Sequence, residues 1–276
     1  MRGSDLQEAV RAKVQSAELD REPFPHVVIP DLLPEPFFRS LAESMPPLEF
    51  FDLSKSGLKA NLVLDEDNPY FVATPEGFRE IWRRLRDEVA RDAIAPILVR
   101  RLEAEIREKF AALFSPEIAD EVIAEGFRTT DGRIMARKPG YVLRAHTDSA
   151  HYTITCLLYF TSAEDESSGA LCLFRPERRP ELHHVSTYFP DREEGIDAEL
   201  VKAIPIRENL FVAFLNDQTS LHGLQVDPDE DSRGNRITYQ CHVVPSHDLR
   251  PEVAMLLDRL PDPVARQRWE RYVAPG

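Results

Sequence analysis

Four side chains in this sequence have the types and spacing to hold a transition metal and a ligand beside it: His146, Asp148, His222 and Arg236. In His146-Thr147-Asp148 an imidazole and a carboxylate lie two residues apart, on the same side of an extended strand. His222 supplies a second imidazole from another strand. Two imidazoles and one carboxylate on one face of an ion leave coordination positions open, which suits non-heme Fe(II) that activates O2. Arg236 heads Arg236-Ile237-Thr238, and its planar fork suits one end of a dicarboxylate. Arg236, Thr238 and Gln240 share one face of a strand. Each residue alone has a plainer explanation. His146 and Asp148 could pair at a strand end, His222 could be a satisfied core histidine, and Arg236 could bridge to an acid. The combination is far more specific than any one of them.

The elements that must position these residues divide the chain. Residues 1–126 read as mainly helical, 127–247 as a β-unit and 248–276 as a helical tail, together one domain. An amphipathic helix is expected over 5–18 and a strand over Phe24–Pro30. A further helix opens at Pro34-Glu35, since proline is tolerated in a first turn. Residues 49–73 look irregular, with room for a short hairpin. From Pro75 to about Phe114 helical spacing is sustained by Phe78, Ile81, Leu85, Val89 and Ile94, and Pro96 is expected to kink or split the run. Another helix is expected over 117–125. Past 127, alternation takes over. Tyr152, Ile154, Cys156, Leu158 and Phe160 fall on one face of a strand, and Thr153, Thr155, Leu157 and Tyr159 on the other. Strands are also expected over 170–174, 185–189, 210–215 and 237–244, and helix returns from Pro251 to Tyr272. Many short strands separated by turns predict a sandwich or barrel.

The segments around the ligand candidates resemble the 2-oxoglutarate/Fe(II)-dependent dioxygenase superfamily, most closely its prolyl-hydroxylase-like branch. The resemblance is carried by Lys138 to Asp148, by the strand Thr155 to Phe160, by Gly169 to Phe174, and by Phe214 ahead of His222 and Arg236. It covers residues 127–245 and implies an α+β protein. Its core would be a double-stranded β-helix, a cupin-like jelly roll buttressed by N-terminal and C-terminal helices. It also implies that His146, Asp148 and His222 bind Fe(II). Arg236, Thr238 and Tyr159 would then hold the distal carboxylate of the cosubstrate 2-oxoglutarate. O2 would be the oxidant, succinate and CO2 co-products, and ascorbate a further candidate additive. Asp148 fills the position that related halogenases leave to chloride, which implies hydroxylation of an unactivated C–H bond. Desaturation and ring formation remain alternatives. The substrate would be a small molecule, an amino-acid derivative or a peptidyl side chain.

The chain also departs from this branch. Arg137-Lys138-Pro139-Gly140 replaces a run with a tyrosine before the glycine, and Leu143 stands where collagen-type members are often aromatic. Both changes line the pocket and count against prolyl substrates. Arg137 or Arg144 could instead meet an anionic group. His151, His183-His184, Arg233 and Asn216-Asp217-Gln218 read as loop or strand-entrance residues, and His26, His242 and His247 have no evident partners.

Composition removes other classes. Net charge is −14 (34 basic against 48 acidic residues), which opposes a broad phosphate-backbone footprint and so a nucleic-acid partner. The Arg83-Arg84, Arg86 and Arg100-Arg101 clusters read as solvated helix faces. No apolar run approaches the roughly 20 residues that span a bilayer, and Met1 to Asp5 turns polar too soon for a secretory signal. Cys156, Cys172 and Cys241 form no framework and suit a reducing, cytoplasmic compartment. Three rivals remain: a cupin-type dioxygenase without 2-oxoglutarate, a non-catalytic jelly-roll binding protein, and a zinc hydrolase. The cupin and the hydrolase leave Arg236 without a task, and the intact ligand set counts against a non-catalytic binding protein. Oligomeric state is open.

Overall fold

A computed structural model describes residues 2–54, 57–138, 141–160, 169–180, 187–225 and 236–251. Its first part is helical: α1 (Gly3–Ser16), α2 (Glu35–Glu43), α3 (Pro69–Ala73), α4 (Glu76–Arg84), α5 (Ala95–Arg101), α6 (Glu103–Leu113) and α7 (Pro116–Glu125). Helical spacing decides what each buries. Leu6, Val10 and Val14 form one fully covered stripe on α1. The predicted break at Pro96 coincides with a change of helix type. A π-helical segment, Leu85–Ile94, ends where α5 begins. Proline cannot donate to the carbonyl four residues back, that of Asp92. Arg11 Nη2, reaching over from α1, donates to that oxygen instead at 3.0 Å. The arginine clusters of these helices are tethered: Arg83 pairs with Glu66 and Glu76, Arg84 with Glu88, and Arg101 donates to the carbonyls of Val14 and Ala17.

The strands are β1 (His26–Ile29), β2 (Asp52–Leu53), β3 (Lys59–Val63), β4 (Phe127–Thr129), β5 (Arg133–Arg137) and β6 (Leu143–His146). They continue with β7 (Ile154–Tyr159), β8 (Ala170–Pro176), β9 (Ala198–Pro205), β10 (Phe211–Leu215), β11 (Leu221–Gln225) and β12 (Arg236–Pro245). They form two antiparallel sheets. The major sheet runs β1-β10-β7-β12-β5-β3-β2, with β4 also paired to β12, and the minor sheet runs β6-β11-β8-β9. From β5 to β12 the chain changes sheet at each step except the β8-β9 hairpin. That path is a jelly roll, the double-stranded β-helix expected from the sequence.

Alternation sorts the major sheet's residues between two cores. Ile154, Cys156, Leu158, Phe211 and Ala213 point outward into the core shared with the helices. Leu157, Tyr159, Val212 and Phe214 point inward and pack against Leu171 and Leu173 of the minor sheet. Burying one such aliphatic or aromatic side chain contributes about 1.5–3 kcal/mol. The helices thus turn an apolar outer face into core and stiffen the sheet that carries Arg236.

Some elements differ from expectation. The hairpin anticipated within 49–73 is β2-β3, which extends the major sheet beside β5. The strand expected over 185–189 is reduced, in its described part, to a single bridge between Tyr188 and Thr147, followed by the short helix α8 (Pro190–Glu193). Pro190 lacks the donor that would continue a ladder. The expected C-terminal helix beyond residue 251, His183-His184 and Arg233 lie outside the described residues. Among the described residues no helix is long and apolar enough to cross a membrane.

Candidate metal centre

The register of the minor sheet brings the two histidines together. His146 ends β6 and pairs directly with His222 of β11, their ring centroids 4.3 Å apart. Gly223 makes this approach feasible. A Cβ there would meet the Leu143 carbonyl oxygen at 2.8 Å. Past His146, Thr147 exchanges two backbone hydrogen bonds with Tyr188, which holds the chain extended and turns Asp148 back toward the histidines. Asp148 Oδ1 lies 3.9 Å from His146 Nε2, and Oδ2 lies 3.7 Å from His222 Nε2. Two atoms each about 2.1 Å from a common ion can be at most about 4.2 Å apart. Both Asp148 separations lie under that limit, and all three ligand atoms fall within 4.8 Å of one another, so a single cation could be held with only a small inward shift of the side chains.

Local hydrogen bonds select the tautomer such a site needs. His146 Nδ1 faces the Arg144 carbonyl at 2.9 Å, and His222 Nδ1 faces the Ser220 carbonyl at 3.1 Å. A carbonyl only accepts, so each Nδ1 carries the proton and each Nε2 lone pair points into the site. Burial, reinforced by His222, pushes His146 down to about 4. Burial works to raise Asp148, but His222, His242, His146 and the Thr155 hydroxyl outweigh it and hold its carboxyl at about 2. At neutral pH His146 is uncharged and Asp148 ionised, the forms that coordinate metals.

These ligands open into a cleft of about 410 Å³ between the sheets, whose wall includes Arg236, Thr238 and Tyr159. All three are buried, and Thr238 stands directly opposite Tyr159 across β12 and β7. Arg236 is only 7% exposed, yet its Nε and Nη1 have no hydrogen-bond partner among the described residues. Burial pulls its guanidinium down to about 10, so it stays charged at neutral pH. A buried, charged, under-bonded fork facing the cleft fits an absent carboxylate, because leaving such donors unmet is costly.

The structure adds residues that sequence reasoning left unassigned. Thr155 Oγ1 donates to Asp148 Oδ2 at 2.8 Å and lies 3.2 Å from His242 Nδ1, and His242 stacks on Tyr152 at 3.7 Å. A signal for His242 was present: it continues the Arg236, Thr238, Gln240 alternation by one more step. Asn216 Nδ2 donates to the carbonyls of Ser149 and Tyr152, tying the two ligand loops together, while Asp217 caps its own turn. His151 lies in a turn, as read. Arg144 pairs with Asp191. His26 and His247, without evident partners in the sequence, contact Lys202 and Glu125 respectively.

No family model matches the chain, and no curated protein sequence matches it. Solved structures do superpose on it. Prolyl 4-hydroxylases from Phytophthora capsici align at TM-score 0.48 and 17% identity, over 90% of this chain and 68% of theirs. A Pseudomonas putida prolyl-4-hydroxylase aligns at 0.42 and 12%, over 88% and 100%. HygX from Streptomyces hygroscopicus, solved with nickel, 2-oxoglutarate and hygromycin B, aligns at 0.43 and 15%, over 80% and 83%. These TM-scores are low, so the fold rests on the strand order above and the chemistry on the residues.

Proposed function

We propose that this protein is an Fe(II)- and 2-oxoglutarate-dependent oxygenase that hydroxylates a small molecule, an amino-acid derivative or a peptidyl side chain. The observation that carries the reading is Arg236: a buried cation with unmet donors, in the same cleft as a His-Asp-His cluster. His146, Asp148 and His222 would hold the metal, and Arg236, Thr238 and Tyr159 the distal carboxylate of 2-oxoglutarate. Bound together, metal and cosubstrate supply the oxidising chemistry, with succinate and CO2 as co-products. The chain's own work is to orient and to exclude water. Ser220 and Arg144 carbonyls aim the imidazoles, Thr155 fixes one Asp148 oxygen, and Phe214 and Phe189 pack on His222 and His146. Buried thiols at Cys156, Cys172 and Cys241 support a cytoplasmic setting, and the core shared by helices and sheet supports a single domain. The ion-paired helix arginines give no support to a nucleic-acid partner. A cupin-type or hydrolytic reading would leave the Arg236 donors unexplained.

The test is O2-dependent succinate formation from 2-oxoglutarate by Fe(II)-loaded protein without added substrate. Slow turnover lost in His146→Ala and in Arg236→Ala is the expected result. Turnover that persists in Arg236→Ala would overturn the cosubstrate assignment.

A further inference from the structure

β12, β5 and β3 lie side by side, and their register sets Arg236 opposite Arg137 and Arg137 opposite Lys59. Three cations therefore form one row across three strands, on the face that lines the metal cleft. Strands are about 4.8 Å apart, so the row spans roughly 10 Å. Like charges placed directly opposite destabilise a sheet. Among the described residues no carboxylate forms an ion pair with any of the three, although Arg39, Arg83, Arg84 and Arg91 on the helices are each paired with an acid. Four residues back along β5, on the same face, Arg133 adds a fourth cation to the wall, bonded to the Gln240 side-chain oxygen. The chain as a whole carries a net charge of −14, so this concentration of positive charge runs against its composition.

The row is graded by depth. Arg236 is buried, Arg137 half-buried and Lys59 exposed. Arg137 is held in place by the Ala60 carbonyl, the Asn61 side-chain oxygen and the Tyr141 ring. These neutral contacts fix its position and leave its charge uncompensated. One distal carboxylate of 2-oxoglutarate answers Arg236 alone. Building on the oxygenase reading, we propose that the primary substrate carries an anionic group, a carboxylate or a phosphate, received by Lys59 and Arg137 at the outer part of the cleft.

Mn(II) in the metal site makes the cleft a magnetic probe. Protein loaded with Mn(II) and saturating 2-oxoglutarate is titrated at low salt with inorganic phosphate, followed by phosphorus NMR relaxation, and with acetate, followed by proton relaxation. A parallel anaerobic Fe(II) sample reports 2-oxoglutarate binding by its visible absorption band. The expected result is saturable relaxation enhancement for at least one anion. Its apparent affinity should fall about tenfold or more in Lys59→Glu and largely return in Lys59→Arg. A response to phosphate alone assigns a phosphorylated substrate, and a response to acetate as well assigns a carboxylate. Absence of saturable enhancement, or the same titration in Lys59→Glu, overturns the proposal. Lys59 is exposed, so its replacement leaves the core intact. If the Fe(II) band is absent while Lys59-dependent anion binding persists, the cosubstrate reading falls and the anion site stands.

Discussion

Replacing Arg236 with methionine should stabilise the ligand-free protein and abolish its stabilisation by 2-oxoglutarate. Arg236 is 7% exposed, two of its guanidinium nitrogens lack partners among the described residues, and burial lowers its pKa from the ordinary arginine value to about 10. At about 1.4 kcal/mol per pH unit, that lowering corresponds to roughly 3.5 kcal/mol spent on keeping the charge inside. The folded-state pKa is depressed, so the penalty is present at all pH values below about 10 and fades only as the proton leaves the folded protein above that. Methionine keeps the length of the side chain and removes the charge, while giving up some packing of the arginine stem. The net gain should be about 1–3 kcal/mol at pH 7.5. Wild type should recover about 2.7 kcal/mol with 2-oxoglutarate at a hundred times its Kd, and the variant nothing. Urea unfolding of the Zn(II) form, with and without 2-oxoglutarate, reads both effects. A ligand-free variant less stable than wild type by more than about 1 kcal/mol would show that the guanidinium is a structural strut and refute the reasoning.

Other consequences are equally open to measurement. Lys109 is buried, and burial, opposed by Asp217, lowers its ammonium from 10.5 to about 7. The unfolded chain keeps that proton to a higher pH than the folded one, so stability should rise between pH 7 and 10.5. The rise should be up to about 5 kcal/mol, and urea titrations of Lys109→Met should lack that slope. Thr155→Val removes the donor to Asp148 Oδ2 and should weaken metal binding about 10–100-fold in chelator competition. Gly223→Ala forces a Cβ against the Leu143 carbonyl, which should push β11 from β6, cost about 1–3 kcal/mol and lower metal affinity in calorimetric titration.

What could be read from the sequence depended on how each residue is used. The faces of β7 were legible because both are buried and the alternation of Ile154, Cys156 and Leu158 against Thr155, Leu157 and Tyr159 is unbroken. The ligand candidates were legible because a metal site needs rare residue types at strand spacing. β9 was not, since most of Ala198–Pro205 is exposed or half-buried and carries no apolar period. β5 was hidden for a functional reason: Arg133 and Arg137 face the cleft, and charge there masks a strand whose Ile134 and Ala136 are core. The π-helical segment escaped because Pro96 marks where the ladder fails but not how the preceding turns absorb it. Thr155 looked like an ordinary strand threonine, because its bond to Asp148 depends on how β7 passes beneath the loop after β6.

The central claim is that His146, Asp148, His222 and Arg236 form one site for Fe(II) and 2-oxoglutarate. The most direct measurement is visible absorption of the anaerobic Fe(II) protein as 2-oxoglutarate is added. The expected result is a saturating charge-transfer band, absent in His222→Ala and at least tenfold weaker in apparent affinity in Arg236→Ala, by about 1.4 kcal/mol or more. Bound Fe(II) with no band, or an unchanged band in Arg236→Ala, would contradict it.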